Sequence, residues 1–502
     1  MKLETYIKLD ATDMSEMIQN KEIKPSEFLD LSFQQLEKVN PFLNAVVHNR
    51  KEEALAEAKE VDIQDRQFAG VPILLKNISQ NIQGEPLTSG SSLLNNNKAK
   101  HDSHFVKILR ESGFQFMGHT NTPEFGLKNI TEPGLYGPTK NPWNPNYSPG
   151  GSSGGSAAAI ASGIVPIAGA SDGGGSIRIP ASFTGVFGLK PTRGRTPVGP
   201  GAGRQWQGAA IDFVLSKSVR DSAAMLDVLQ VVQPEAAFQT PLFPGSYKNN
   251  MQKDFKKPLR VAFTTKSPVD TPVSGDAVQA VEKVVHWLEK EGHVVEEAEN
   301  GVDGIKLMRN YYLMNSGEIA SVMLGLEKML GRPLTKDDLE VETWLLNHAG
   351  KAVSAAEFSA SLSAWDTAAA QMAVLHQTYD FYITPASAYA APKIGELTHT
   401  EDEKDHLCLQ IDTLTKNEQQ ELIYEMFLPS LTYTPFSQLA NLTGQPAMSV
   451  PVHVTDKGLP LGVQVMAGKG EEHRLLQLAR QLESSDLWIG MKGNPYFRGT
   501  GR

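Results

Sequence analysis

The sequence predicts an α/β protein, and three stretches carry that expectation. DSHFVKILRES at 102–112 has helical apolar spacing, stops at Gly113 and runs at once into a short apolar strand at 114–118. The alternation returns as strand 260–263 with Thr264, helix 274–290 and strand 292–296. It closes the chain as strands 447–451 and 462–466 followed by helix 471–482. Helices alternating with short apolar strands are the pattern of layered α/β domains.

Taken in order, residues 10–40 read as two helices. Asp10 or Thr12 offers a start signal, and Pro25 and Ser26 precede EFLDLSFQQLEKV, whose Phe28, Leu29, Leu31, Phe33 and Leu36 form a broad apolar face that Pro41 should terminate. Residues 50–60 are a charged helix. The run FAGVPILL at 68–75 is strand-like and ends in Lys76, a charge that either snorkels to solvent or is buried with a perturbed pKa. HTNTPEFG is a loop, and the prolines and glycines of 133–149 make a long irregular stretch. Residues 156–162 are a small-residue helix, 165–170 a buried strand and 177–180 the start of the next connection. The basic tract GLKPTRGRTPVGP fits a solvated surface turn as well as a ligand site. An amphipathic helix at 219–232 and a connector rich in Pro, Gly and Asn at 233–258 follow. Residues 303–379 are mostly helical, with Tyr311, Tyr312, Trp344, Phe358 and Trp365 as core or pocket lid. Strand 381–385 precedes an acidic helical stretch at 396–430 that lacks a clean core face and reads as a surface insertion, then a polar turn at 440–444. No solenoid repeat or heptad run is present.

The 502 residues suffice for one large domain or two to three smaller ones. Hydrophobic residues are 40% and charged residues 21%, an ordinary soluble mixture. A net charge of -10 with both signs interspersed argues against a nucleic-acid partner and a basic membrane-binding face. No window approaches the roughly 18 apolar residues of a membrane span. A single cysteine, Cys408, excludes an internal disulfide, so a reducing interior is the simplest compartment.

Chemistry concentrates in 148–190, where two glycine clusters, 150–155 and 173–175, interleave with apolar segments that must pack. A linker has no reason to alternate in this way. A phosphate loop is excluded because no G-x-x-x-x-G-K-[ST] occurs. Gly151-Ser152-Ser153-Gly154-Gly155 satisfies the G-x-S-x-G nucleophile elbow, but that reading needs an acid and a histidine. His453 is the residue to nominate, and nothing marks its acid. In Asp172-Gly173-Gly174-Gly175-Ser176, consecutive glycines after a buried strand allow successive N–H groups to converge as an anion nest, with the Ser176 hydroxyl beside them. Without a histidine, the base for such a serine is a lysine kept neutral by desolvation. Lys76 fits in type and Ser152 fits as a bridge, although spacing alone does not join them.

The tract GGSSGGSAAAIASGIVPIAGASDGGGSIRIPASFTGVFGLKPTRGR resembles the amidase signature family, as do FAGVPILLKN, MGHTNTPEFG, YGPTKNPWNP, NLTGQPAMSVPV and LPLGVQVMA. The resemblance covers essentially the whole chain and is weakest over 300–440. It implies one domain over 1–502, built as a central mixed twisted β-sheet with helices on both faces. Its parts would be an N-terminal helical portion (1–65), a catalytic core (66–232), a more variable helical and pocket region (233–440) and a return to the sheet (441–490). It implies two-step acyl transfer in which Lys76 is the base, Ser152, after a cis peptide, the bridge, and Ser176 the acyl-forming nucleophile. The N–H groups of Gly173, Gly174, Gly175 and Ser176 would be the oxyanion hole, with Asp172 and Arg178 organising the loop. No metal or cofactor is implied.

Within the family the chain looks most like the branch that opens 6-aminohexanoate cyclic dimer, a nylon-derived cyclic diamide, on the style of NITEPGLYGPTKNPWNP, GRPLTKDDLE and APKIGELTHT. That likeness would place Tyr311, Asn315, Phe436 and Gln445 at the pocket wall. The expected partner is a small-molecule amide, in a cytoplasmic protein, with homodimer assembly open. General aliphatic or aromatic amidase activity, an amidotransferase A-type subunit and an inactive binding scaffold remain the alternatives.

Overall fold

The computed structural model describes residues 1–60, 62–64 and 66–497. Among them one mixed sheet holds eleven strands: β1 (Val46–Asn49), β2 (Pro72–Lys76), β3 (Gln115–Thr120), β4 (Ile167–Asp172), β5 (Phe187–Lys190), β6 (Ile211–Ser216), β7 (Arg260–Phe263), β8 (Val294–Glu297), β9 (Phe381–Pro385), β10 (Ala447–Val454) and β11 (Pro460–Ala467). Their order is β1-β3-β2-β4-β6-β5-β10-β11-β9-β7-β8. β3, β2 and β4 run parallel, as do β9, β7 and β8, and the other neighbours are antiparallel. The α/β class and the mixed sheet flanked by helices are thus as expected, while β1, β5 and β6 are strands that the sequence reading passed over.

Every residue of β2 is buried, which suits a parallel strand covered on both faces. The Gly154–Ala161 helix packs on β2 and β4 with all eight residues buried. Its small side chains permit that approach: a Cβ on Gly155 would stand 2.4 Å from the Asn121 nitrogen, so only glycine fits there. Arg178–Thr184, which the sequence reading treated as a connection, is a helix over β5, β10 and β11. Gly275–Lys290 covers β8, β9, β10 and β11.

Several expectations are corrected. Pro41 does not stop its helix, which runs from Pro25 to Leu43 and ends at Asn44 in the left-handed conformation (φ 51°). A proline so near the end forfeits only its own N–H bond, and the Asn44 side chain is tied down by the carbonyls of Tyr136 and Gly137. The basic tract is not a solvated turn: Lys190 and Arg195 are buried, and Arg193 and Arg195 donate to the carbonyls of Gly208, Asn441, Leu442 and Pro241. Residues 440–444 belong mainly to a buried helix, Gln438–Thr443. The acidic stretch is also no mere surface insertion. Its second helix, Lys416–Tyr433, buries Leu422, Ile423, Phe427 and Leu431 in a second hydrophobic cluster with Ile319, Leu345 and Leu346. With Gly304–Leu330 and Val341–Lys351 it forms a helical roof beside the sheet. Among the described residues no helix is long and apolar enough to cross a membrane.

Candidate active site

Parallel β2 and β4 pair at Leu74 and Ala168, so two residues farther along each chain Lys76 comes level with Ala170, next to Ser171. This is the carboxyl end of the strands, where open α/β sheets present their ligand sites. Lys76 is fully buried, and its Nζ lies 2.7 Å from Ser152 Oγ and 2.9 Å from Ser171 Oγ. Burial holds the amine down at about 7, against the pull of the Asp212 and Asp172 carboxylates. Ser152 follows a cis peptide from Gly151 and precedes the Gly154–Ala161 helix.

The two carboxylates are occupied elsewhere. Asp212 on β6 accepts from Ser79, Gln80 and Gln205, and burial raises its pKa above the ordinary value. Asp172 is buried against Arg178, which donates to both its oxygens at 2.9 and 3.0 Å. Burial would raise Asp172, but the guanidinium more than reverses this and holds it well below the usual carboxylate range. Arg178 also donates to the Ser437 carbonyl, Gln464 and Asn441, and Asn441 donates back to Asp172. Asp172 and Arg178 therefore lock the glycine turn to the Gln438–Thr443 helix.

Within that turn the four expected oxyanion donors divide. Gly175 N–H donates to Asp172 Oδ1 at 2.7 Å, so it is committed to the protein. The N–H groups of Gly173, Gly174 and Ser176 have no acceptor among the described residues. Gly173 and Gly174 line a cavity of about 320 Å³ together with Ser152, Ser171 and Ser176. Ser176 is half-buried at the cavity wall. Its hydroxyl makes no hydrogen bond among the described residues, so its contact with Ser152 is not closed.

Tyr311 and Asn315 line the same cavity, as the sequence reading placed them. Phe436 and Gln445 do not. Phe436 borders a smaller cavity of about 40 Å³ on the far side of Gln438, and Gln445 spends its amide on Thr443 and the Ala467 carbonyl. The elbow reading dissolves as well: Ser153 Oγ is held by the Ser171 backbone, while His453 lies between Asp276 and Lys283. Sequence reasoning missed Ser171, Asp212 and Trp206. Trp206, a large aromatic inside the glycine-rich GPGAGRQWQG, was the readable signal of the three. It lines the cavity in a run of three left-handed residues, Gln205, Trp206 and Gln207, with φ of 32, 57 and 53°.

A buried lysine facing two serines beside N–H groups without an acceptor is an arrangement that acyl transfer can use. The amidase family model matches residues 27–476, and the chain belongs to that family of amide-bond hydrolases. It is 38% identical to the lipoamidase of Enterococcus faecalis over 96% of this chain, although it spans only 64% of that protein's length. It is 35% identical to the 6-aminohexanoate-cyclic-dimer hydrolase of Paenarthrobacter ureafaciens over 96% of both chains. A solved structure of 6-aminohexanoate cyclic dimer hydrolase with its substrate superposes with a TM-score of 0.86 at 33% identity, covering 99% of this chain and 98% of the other.

The turn's glycines differ in what they tolerate. A Cβ on Gly173 would meet only Ala210, at 3.5 Å. On Gly175 (φ 123°) it would stand 2.2 Å from Ser437 Oγ. Gly175→Ala should therefore lose roughly 2 to 4 kcal/mol in denaturant unfolding, from backbone strain plus overpacking. Gly173→Ala should lose less than about 1 kcal/mol, and equal losses would contradict this account of the turn.

Proposed function

We propose that the protein is a serine amidohydrolase working through an acyl-enzyme on Ser176, with uncharged aliphatic amides such as 6-aminohexanoate cyclic dimer or related oligomers as substrates. The observation that carries the chemistry is the buried Lys76–Ser152 contact. Protonated, Lys76 donates to both serines; neutral, it keeps a lone pair with which one of those bonds reverses, so that Ser152 donates to it. Ser176 then passes its proton to Ser152 as its oxygen attacks the amide carbonyl, a contact that catalytic groups commonly complete only with substrate in place. The carbonyl electron pair moves to oxygen and is held by the N–H groups of Gly173, Gly174 and Ser176. Ser152 returns a proton to the nitrogen as the C–N bond breaks, and water repeats the sequence on the ester to release the acid. Each oxyanion donor in such a site supplies on the order of 3 kcal/mol.

The substrate class is supported by the walls. Ile78, Leu127, Ile319, Phe427 and Leu431 are apolar, and Tyr312 stacks on Phe427 at 5.0 Å. The charged side chain among the lining residues, Lys128, has its amine 2.8 Å from Glu340 and 3.5 Å from Glu342. A wall without net unpaired charge suits a neutral amide rather than a free acid or amine. The likeness to the cyclic-dimer hydrolase points the same way, and the higher identity to a lipoamidase makes lipoamide the second candidate.

Three outcomes are expected. Ser176→Ala should lower turnover at least about 10⁴-fold with the fold retained, Lys76→Ala nearly as much, and Ser152→Ala strongly but incompletely, because a water can bridge. An unchanged rate in Lys76→Ala would refute its role as base. Because burial lowers the Lys76 pKa to about 7, the neutral base is lost as pH falls through that value, so kcat/KM should rise with pH across it. A profile flat through neutrality would remove Lys76 as the titrating group. A panel of cyclic and linear 6-aminohexanoate oligomers, lipoamide and simple aliphatic and aromatic amides should show cyclic dimer among the best substrates. If that compound were untouched while simple amides turned over, a general amidase would stand instead.

A further inference from the structure

Helix Gly304–Leu330 presents Tyr311, Asn315 and Glu318 at i, i+4 and i+7, one face of the helix. Each meets a loop that rises from the sheet. Tyr311 Oη donates to the Gly173 carbonyl at 3.1 Å, Trp206 Nε1 donates to Asn315 at 2.7 Å, and Gln207 Nε2 donates to Glu318 at 2.8 Å. The first bond reaches the oxyanion turn itself. Gly173 C=O and Gly174 N–H belong to one peptide unit. Gly151–Ser152 and Gly199–Pro200 are the cis bonds among the described residues, so this unit is trans and its N–H points opposite to its C=O. Pinning the oxygen aims the hydrogen. The next peptide is pinned at both ends, with Ser437 Oγ donating to Gly174 O at 2.7 Å and Gly175 N–H donating to Asp172, so the turn has little freedom beyond the unit Tyr311 holds.

We infer that Tyr311, resting on the acyl-transfer reading above, is a positioning residue that orients the Gly174 N–H toward the developing oxyanion. The contact is close as well as directional: a Cβ on Gly174 would stand 2.8 Å from Tyr311 Oη. Burial pushes the phenol up to about 12, so it remains a donor throughout neutral conditions. Gly174 N–H has no acceptor among the described residues, and an amide left without any partner is costly. A bound oxyanion is the acceptor that the orientation anticipates. Tyr311 thereby ties the roof, which forms one side of the substrate wall, to the one element of the chemistry whose aim has to be correct.

The test uses a fluorophosphonate, whose phosphoryl oxygen takes the oxyanion position as Ser176 Oγ bonds to phosphorus and fluoride departs. Its saturation kinetics separate the inactivation rate, kinact, from the affinity, KI, without requiring the natural substrate. Tyr311→Phe keeps the ring and should lower kinact by about 10- to 100-fold, a part of the loss expected when a donor is removed outright, with KI changed less than about twofold. Glu318→Ala, which loosens the same helix face without touching Gly173 or the cavity lining, should change kinact less than about twofold. An unchanged kinact in Tyr311→Phe, a change confined to KI, or an equal fall in Glu318→Ala would overturn the positioning role. Labelling of wild type but not of Ser176→Ala shows that the underlying reading holds; failure of wild type to label would overturn that reading and this one with it.

Discussion

The site depends on keeping one lysine amine dry and without a committed counter-ion. A salt bridge would restore its ordinary pKa and remove it as the proposed base, so the nearby carboxylates have to be held by other partners. The fold does this twice. Asp172 is paired with Arg178 inside a network that includes Asn441, Gln464 and the Ser437 carbonyl. Asp212 is wrapped by three neutral donors and raised by its own burial. What remains within reach of Lys76 Nζ are two hydroxyls, which stabilise either protonation state and favour neither strongly.

This constraint explains the spending of so many buried polar groups around a short turn. Each charge in the interior demands several donors or acceptors, and the network built for Asp172 reaches from the turn to the helix at 438–443 and to β11. The same bonds stiffen the turn, which is what an oxyanion site needs, because donors that must reorganise during the reaction contribute less. Electrostatic isolation of the proposed base and rigidity of the glycine turn are thus two results of one arrangement. Lys190, also buried and lowered to about 7 by its burial and by neighbouring Arg178, donates to the Pro191 carbonyl and so braces the backbone from behind without facing the cavity.

Much of this was legible from the amino acids. Helix–strand alternation predicted the class, and the glycine and serine tract, with its resemblance, named Lys76, Ser152 and Ser176, which the fold gathers at one cavity wall or beside it. What was illegible has consistent physical causes. Spacing does not reveal that Gly175 N–H is consumed by a carboxylate three residues earlier, since that depends on the turn's dihedral angles. Residues 440–444 read as a polar turn because Asn441 and Thr443 are polar, yet their side chains serve buried partners rather than solvent. The basic tract misled for the same reason. Cations usually mark a surface, but here they satisfy internal carbonyls. The second acidic helix, Lys416–Tyr433, hid its core face because a helix that touches both a cavity and a cluster shows no single apolar stripe.

The layers of the molecule divide the labour. β2, β4 and the turn after β4 hold the groups proposed for bond making, while the helices between 304 and 434 supply about half of the apolar wall. Such a division lets the wall change without disturbing the base, provided the two layers stay in register. A helix packed against other helices has several ways to shift by a fraction of a turn, and apolar contact alone distinguishes them weakly because dispersion is not directional. The hydrogen bonds of Tyr311, Asn315 and Glu318 to three separate backbone and side-chain groups below are directional, and they can be made together in one register only. Of the three, Tyr311 alone reaches the glycine turn, so under the proposed reading a substrate that displaces the roof at Tyr311 also misaims the nest.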